Sequence, residues 1–297
     1  MSIEINKAFV QQFKDNLIML SQQKGSRLLS SVMVNKVVGK FDHFERLGAT
    51  SAVERTSRHG DTPIIDTPHS RRRVVLRDFE WADLIDKQDE VRMLINPRSN
   101  YARAGAWALG RKMDDLILAA ATGSAASIDA ADASSGIALP AGQIIDEDFA
   151  AADSNLTVEK LIEAGRILDS NDVDPDEERF IVYNASAKAS LLNTTEVTSS
   201  DFNSVKALTE GRIDTFMGFK FIRVERLLGT ADGTDTDPVK VLAYTRSAIG
   251  YGMGMDINVR VSERDDKSYS TQVYASMTGE AVRVEDEKVV EIQCVQA

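Results

Sequence analysis

The chain has 297 residues, a net charge of −11, 43% hydrophobic residues and 27% charged residues, which suits one large domain or two subdomains that share a core. No stretch approaches the roughly 20 apolar residues that cross a bilayer, the N-terminus does not resemble a signal peptide, and the single cysteine, Cys294, fits a reducing compartment. The acidic balance argues against a protein that mainly coats DNA, because phosphate binding needs a basic face. We therefore expect a soluble chain made in the cytoplasm, without a membrane partner.

Residues 4–24 carry apolar side chains at helical spacing and predict an amphipathic helix that ends at Gly25. The apolar positions of this helix are Ile5, Phe9, Phe13, Leu17 and Leu20. A helix at the terminus has to dock either on its own core or on another subunit. Residues 32–47 then change to a β-like pattern.

A long polar segment, residues 48–70, joins this β-like stretch to a second one over residues 73–81, in which Val75, Phe79 and Trp81 share one side. Two such stretches and a polar tip predict a protruding hairpin, and a loop of this length inside a compact domain is uncommon unless it has a function. Because an isolated two-stranded ribbon is only marginally stable in water, we expect the hairpin to lie on a neighbouring subunit.

A long helix is predicted over residues 97–122. Asn96 is a capping residue followed by Pro97 at the first helical position, and Thr122-Gly123 supplies the end of the helix. About 26 residues at 1.5 Å each give a rod of about 39 Å. Alanine and glycine in its first half allow another element to approach closely, so we interpret this helix as a structural strut.

The segment from residue 124 to residue 250 mixes short helices with strands. The predicted elements are a loop or short hairpin over 124–152, helices over 156–170 and 185–192, and strands over 179–184, 218–224 and 239–244. This mixture predicts a compact α/β subdomain over residues 153–250. The C-terminal segment instead alternates apolar and polar residues and predicts strands, which we expect to pack on the long helix.

The sequence contains no catalytic or phosphate-binding motif. The glycine-rich stretch at residues 250–254 follows residues 244–249, which look helical, and this order is the reverse of a dinucleotide fold, so we interpret the stretch as a helix-to-strand connection. His43, His59 and His69 match no standard metal spacing, and Cys294 is interpreted as a buried strand residue. We therefore predict no enzyme, no catalytic residue, no cofactor and no metal site.

The charges are distributed unevenly along the chain. The predicted hairpin is rich in arginine, at Arg55, Arg58, Arg71, Arg72, Arg73 and Arg77. Residues 146–178 are strongly acidic and include Asp172, Asp174, Glu177 and Glu178. Two solvated faces are one interpretation of this pattern. The other is that the hairpin arginines of one subunit meet the acidic residues of its neighbour across a subunit boundary.

The order of the elements resembles the plan of tailed-phage major capsid proteins, a fold shared with encapsulins and the floor of herpesvirus capsids. The resemblance covers nearly the whole chain. It includes the Ala102-x-x-Gly105-x-x-x-Leu109-Gly110-x-x-x-Asp114 pattern of the helix and the stretch Thr278-Gly279-Glu280-Ala281-Val282-Arg283 before the last hairpin. It implies an α+β fold with an N-terminal arm (1–35), an extended hairpin loop (36–82), a peripheral domain (83–152) with the spine helix (97–122), an axial domain (153–250) and a β-rich return (251–297).

The resemblance also implies a function and a set of partners. Subunits would assemble into hexamers and pentamers of an icosahedral head around double-stranded DNA, made in the host cytoplasm, with the DNA contacted weakly. Some family members begin with a long charged scaffolding segment, whereas here the arm starts within a few residues of Met1. We therefore expect a separate scaffolding protein or an already mature sequence, together with a portal and room for a decoration protein.

Two other functions stay open at this point. An encapsulin-like compartment would use the same fold to enclose a cargo protein. An α+β hydrolase or transferase with an unrecognised site would form small soluble oligomers instead of shells.

Overall fold

The computed structural model of the chain describes residues 21–58, 60–62, 64–86, 98–128, 134–149, 154–193, 215–229 and 238–295. The chain divides into two compact units. The first unit consists of Met1–Ser26, Asp78–Lys112 and Met255–Thr278, and the second of Arg27–Arg77, Met113–Gly254 and Gly279–Ala297. The predicted amphipathic helix over residues 4–24 lies almost entirely outside the described residues, and residues 21–28 form no regular element.

The long helix α1 spans Arg98–Thr122, so its predicted course and end are confirmed, while its capping residues lie outside the described residues. In its first half, a methyl group added to Gly105 would lie 2.5 Å from the indole ring of Trp81. The close approach that the glycine allows is therefore made by an aromatic ring. In its second half, the buried carboxylate of Asp114 accepts hydrogen bonds from the backbone N–H groups of Arg27 and Leu28 at 3.0–3.1 Å, which fixes the chain before the first strand.

One four-stranded sheet contains the predicted hairpin. Its strands are β2 (Phe41–Leu47), β3 (His69–Val75), β5 (Ala125–Ile128) and β6 (Ser134–Ile137), in the order β2-β3-β5-β6 with antiparallel neighbours. The short hairpin predicted within residues 124–152 is thus present as β5 and β6. The return stretch predicted over 73–81 is interrupted at Leu76, and a separate strand, β4 (Arg77–Ile85), belongs to another sheet.

That other sheet has the order β1-β12-β13-β4, with β1 (Met33–Lys36), β12 (Ile249–Arg264) and β13 (Ser270–Arg283). The interpretation of residues 244–254 as a helix followed by a connection is wrong. Residues 246–248 form a single 3₁₀ turn, and the glycine-rich stretch lies inside β12, parallel to β1. Glycine is needed there because a side chain on Gly250 would collide with the ring of Phe44.

A six-stranded sheet carries the main core of the second unit. Its order is β7-β14-β11-β8-β10-β9, with β7 (Ile144–Ile145), β8 (Arg179–Tyr183), β9 (Thr215–Phe216), β10 (Phe219–Arg223), β11 (Val239–Thr245) and β14 (Val289–Cys294). Helices α2 (Val158–Ser170) and α3 (Ala185–Asn193) contribute apolar side chains to the same core. Thr157 caps α2 by accepting a hydrogen bond from the N–H of Lys160 at 3.3 Å.

The last strand differs from the prediction. Residues 289–294 pair antiparallel with β11 over Val239–Tyr244, and Val290, Ile292 and Cys294 join the core of the six-stranded sheet. The expectation that every C-terminal strand packs on the long helix is therefore wrong for β14. Its fully apolar inward face suits a sheet that is covered by a helix, and periodicity alone does not identify which strand it will pair with.

Candidate assembly hairpin and its anchor

The candidate functional element is the β2–β3 hairpin with its tip, residues 48–68. The two strands pair from Phe41 opposite Val75 to Leu47 opposite His69, and the N–H of Gly48 donates to the carbonyl of Pro68 at 2.8 Å at the end of the ladder. The described tip residues form no regular element, and nearly all of them are exposed. Such a long exposed segment has little to stabilise it within its own chain.

The tip exposes apolar as well as charged side chains. Ile64 is 97% exposed and Val53 is 57% exposed. Within the described residues, Arg55 donates to the nearby carbonyls of Ser57 and Arg58. Apolar side chains held this far into solvent are typical of surfaces that a partner covers.

The arginines of β3 point to opposite faces of the hairpin. Arg71 lies on the outer face beside Glu45, with their charged atoms 3.4 Å apart, and the guanidinium of Arg73 lies 5.9 Å from the ring centre of Phe41. Arg72 alternates to the inner face and is only 3% exposed. Because neighbouring strand residues face opposite ways, a run of three arginines cannot present all three to a partner.

Arg72 belongs to a buried ionic anchor, which we define as Arg72, Arg283 and Asp286. The Arg72 Nη2 atom lies 2.5 Å from one carboxylate oxygen of Asp286, and the Arg283 Nε atom lies 2.6 Å from the other. Arg283 is fully buried. It also donates to the carbonyls of Ala121 and Gly123, at the end of α1, at 2.9 and 2.6 Å, and to that of Ile137 at 2.9 Å.

The anchor carries two guanidinium groups and one carboxylate, and so a net positive charge. Burial lowers the pKa of the Arg72 guanidinium, while the carboxylate of Asp286 opposes this shift. Within the described residues, the Nε and Nη1 atoms of Arg72 have no hydrogen-bond partner. The anchor thus depends on the Asp286 carboxylate, and it ties the base of the hairpin to the end of the long helix.

The remaining predicted contact residues are placed as follows. Arg77 was predicted to lie on the hairpin, but it lies on β4. There it pairs with Glu280. Asp172 and Asp174 are exposed in the turn after α2. Glu178 pairs with Lys220, and Glu177 accepts from the N–H of Ser247 at 3.1 Å and lies 3.2 Å from Lys288.

The structure does not bring the predicted arginines and acids together inside the chain, since their described ion pairs are all made with other residues. Arg72 lacks the exposed position that an inter-subunit contact requires. Asp286 and Arg283 were missed as functional residues because the sequence identifies residues 285–288 only as a turn. Nothing local in the sequence signals a partner 214 positions away.

The described residues contain no group of three or more potential ligands that could hold a metal ion. Cys294 is buried in β14, and burial raises the pKa of its thiol to about 12. No helix in the described part of the chain has the length and apolar character needed to cross a membrane.

The fold defines the class of the protein. The chain superimposes on the capsid structure of cyanophage P-SCSP1u with a TM-score of 0.74 at 17% identity, covering 99% of this chain and 95% of that one. It also matches the capsid of Ralstonia phage GP4 (TM-score 0.71, 12% identity, 97% and 96% covered) and a structure from Mycobacterium phage Che8 (TM-score 0.66, 20% identity, 96% and 97% covered). The fold is that of phage capsid proteins, and the α+β class is confirmed.

The family follows from the sequence. Residues 5–296 match the family model described as phage capsid protein, and the chain belongs to this family. No curated protein matches it. It is a major capsid protein that forms the shell of a phage head, which confirms the resemblance.

Proposed function

We propose that the chain assembles into hexamers and pentamers that close into an icosahedral head around a double-stranded DNA genome, and that it catalyses no reaction. The observation that carries this proposal is the hairpin itself. Its tip is exposed and partly apolar, while its base is held by a buried ionic anchor. A rigidly held base with an unsupported tip suits an element whose partner is another subunit.

The inter-subunit contact is proposed to use the outward arginines and the exposed acids. Arg71 and Arg73 on the outer face of the hairpin, with Arg55 and Arg58 in the tip, would meet Asp172, Asp174, Glu177 and Glu178 of a neighbour. Opposite charges across such a boundary steer the approach of subunits and fix their register. Arg72 is left out because it is buried, and Arg77 because it lies on β4, outside the hairpin.

The remaining partners are proposed by analogy with the family. We propose a separate scaffolding protein and a portal, with a decoration protein as an optional addition, and assembly in the host cytoplasm before release in the virion. The net charge of −11 supports weak contact with packaged DNA, because an acidic lining repels phosphate groups.

The direct test is to express the chain alone and with candidate scaffolding proteins, and to examine gradient fractions by electron microscopy. Closed shells support the proposal. Small soluble oligomers on size-exclusion chromatography would contradict it and favour an enzyme. Mass spectrometry of shells from infected cells separates a DNA-filled head from a compartment holding a cargo protein.

A sharper test reverses the outward arginines only. Arg71→Glu combined with Arg73→Glu should leave folded, soluble subunits, because the anchor is untouched. It should prevent shells, because the outward charge of the hairpin is reversed. Arg77→Glu, which alters a pair on β4, is the matched control and should still give shells. Normal shells from the first variant would refute the proposed pairing.

A further inference from the structure

The second unit contains an open cleft of about 680 Å³ at the base of the hairpin. Strand β2 forms one wall, and the turn that carries the anchor carboxylate forms another. Its lining includes His43, Glu45, Leu47, Asn171, Glu285 and Glu287. None of these residues belongs to the buried anchor, so the cleft is a separate feature.

One wall of the cleft is a strand edge with free backbone groups. Strand β2 is the last strand of its sheet in the described part of the chain. Two hydrogen bonds extend the β2–β3 ladder beyond the strand ends. The N–H of Gly48 donates to the carbonyl of Pro68, and the N–H of Leu76 donates to the carbonyl of Lys40. Even-numbered residues of β2 therefore bond to β3, and the backbone groups of odd-numbered residues point away from it.

The odd-numbered residues of β2 that line the cleft are His43, Glu45 and Leu47. The His43 N–H is satisfied by the side chain of Asp42 at 2.8 Å, which leaves the N–H groups of Glu45 and Leu47 directed to the free side. An open edge of this kind accepts an extended chain as an additional strand.

The cleft is acidic. Glu45, Glu285 and Glu287 line it against the single cation of Arg46, so the lining is net negative. Glu45 lies 3.4 Å from Arg71 and Glu285 lies 3.4 Å from Lys288, so two of the three carboxylates also have a cation of their own chain nearby. Asn171, which lines the cleft, donates to the carbonyl of Glu287 at 3.1 Å. The exposed Asp172 is the next residue in the chain, so it lies beside the cleft. The acids predicted as contact residues therefore adjoin a second acidic set that the sequence did not single out.

The geometry points to one occupant: the cleft receives the tip of the hairpin of a second copy of this chain, with residues 50–58 added along β2. This inference rests on the proposed function and names the surface that receives the hairpin. The segment is exposed, free of regular structure and carries Arg55 and Arg58 against Glu54, so its net positive charge is opposite to that of the cleft. Val53, 57% exposed, would be covered by the contact.

The proposed contact is directional. Tip and cleft are different surfaces of one chain, so each copy offers a tip to one neighbour and a cleft to another. Such a head-to-tail contact closes into rings when the rotation between copies is a whole fraction of a turn. Hexamers and pentamers are rings of this kind.

Cross-linking within assembled shells tests the inference. The variant combines Arg58→Cys with Glu287→Cys, and a short bis-maleimide reagent joins cysteines that lie close together. The native Cys294 is fully buried and leaves the background clean. In the control, Ser262→Cys on the exposed part of β12 replaces Glu287→Cys, and each single variant is treated in parallel.

We expect a ladder of linked subunits from the Arg58→Cys, Glu287→Cys shells, with at least tenfold lower yield from the control. If the shells form normally but the yield of linked subunits is equal to or lower than that of the control, the inference is overturned and the proposed function stays intact. Failure of the unmodified chain to form shells with any scaffolding protein would instead count against the proposed function.

If the cysteine variants do not assemble, exchanging the charges of Arg58 and Glu287 provides a second test. Arg58→Glu and Glu287→Lys should each reduce the shell yield, and the double variant should restore it. Independent losses without restoration would overturn the inference.

Discussion

At the scale of single residues, the most informative feature is the anchor of Arg72, Arg283 and Asp286. Two buried guanidinium groups share one carboxylate, and Arg283 also satisfies three backbone carbonyls. Buried charges are tolerated only when they are paired and hydrogen-bonded. Removing one partner of the anchor therefore lowers the stability of the subunit strongly. Replacing all three residues by well-packed apolar ones is often neutral for stability.

We predict that Asp286→Ala lowers the free energy of unfolding by about 3–5 kcal/mol, the usual effect of breaking a buried ion pair. Urea denaturation of the unassembled subunit measures the change. Asp266→Ala, which removes the exposed pair with Arg264, serves as the control and should have little effect. Equal effects of the two substitutions would contradict the anchor.

Cys294 allows a prediction of pH dependence. Burial raises the pKa of its thiol to about 12 from an ordinary 9.0, so the native chain keeps the proton that the unfolded chain releases between these values. Stability contributed by this group is present below pH 9 and decreases as the pH rises towards 12. An aromatic disulfide reagent at pH 8 should label the thiol only in denaturant, and rapid labelling of the folded subunit would contradict the prediction.

At the scale of elements, two helical glycines have opposite roles. A methyl group on Gly105 in α1 would press into the ring of Trp81, whereas one on Gly165 in α2 would meet no atom within 4 Å. The first glycine allows a close contact, and the second only weakens its helix.

We therefore predict opposite signs for the same substitution. Gly105→Ala should destabilise the subunit by about 1–3 kcal/mol through overpacking, and Gly165→Ala should stabilise it by about 0.5–1 kcal/mol through helix propensity. Thermal unfolding of both variants measures the difference. A stabilising Gly105→Ala would show that Trp81 moves aside without cost.

Most elements could be predicted from the sequence because their signals are local. Thr157 caps α2, Gly123 follows α1, and alternating residues mark β2 and β3. The assignments that failed depend on long-range pairing. Residues 244–249 look helical, yet β11 continues to Thr245 and β12 begins at Ile249 because both strands find partners far along the chain.

The candidate site divides in the same way. The exposed tip and its arginines were predictable from a polar segment between two alternating stretches. The burial of Arg72 was not, because it depends on Asp286, whose position beside the hairpin is set by the tertiary fold. The acidic cleft was likewise hidden, since β2 and residues 285–287 are distant in sequence.

At the scale of the whole molecule, the hairpin tip should be separable from the folded subunit. Replacing residues 50–66 with a short Gly/Ser loop should leave the circular dichroism and unfolding midpoint nearly unchanged, because the tip contributes little to the buried core. Shells should be lost in electron micrographs. Shells of normal size from the shortened chain would show that the tip is dispensable for assembly.

The 214 positions between Arg72 and Asp286 also bear on when a subunit becomes competent. During synthesis, β2 and β3 leave the ribosome long before residue 286 is made, and at about 5–20 residues per second this delay is on the order of tens of seconds. Until then, the Arg72 guanidinium lacks the counter-charge with which it is buried in the folded subunit. We therefore expect chains that stop before residue 286 to lack a fixed hairpin base and to be absent from purified shells.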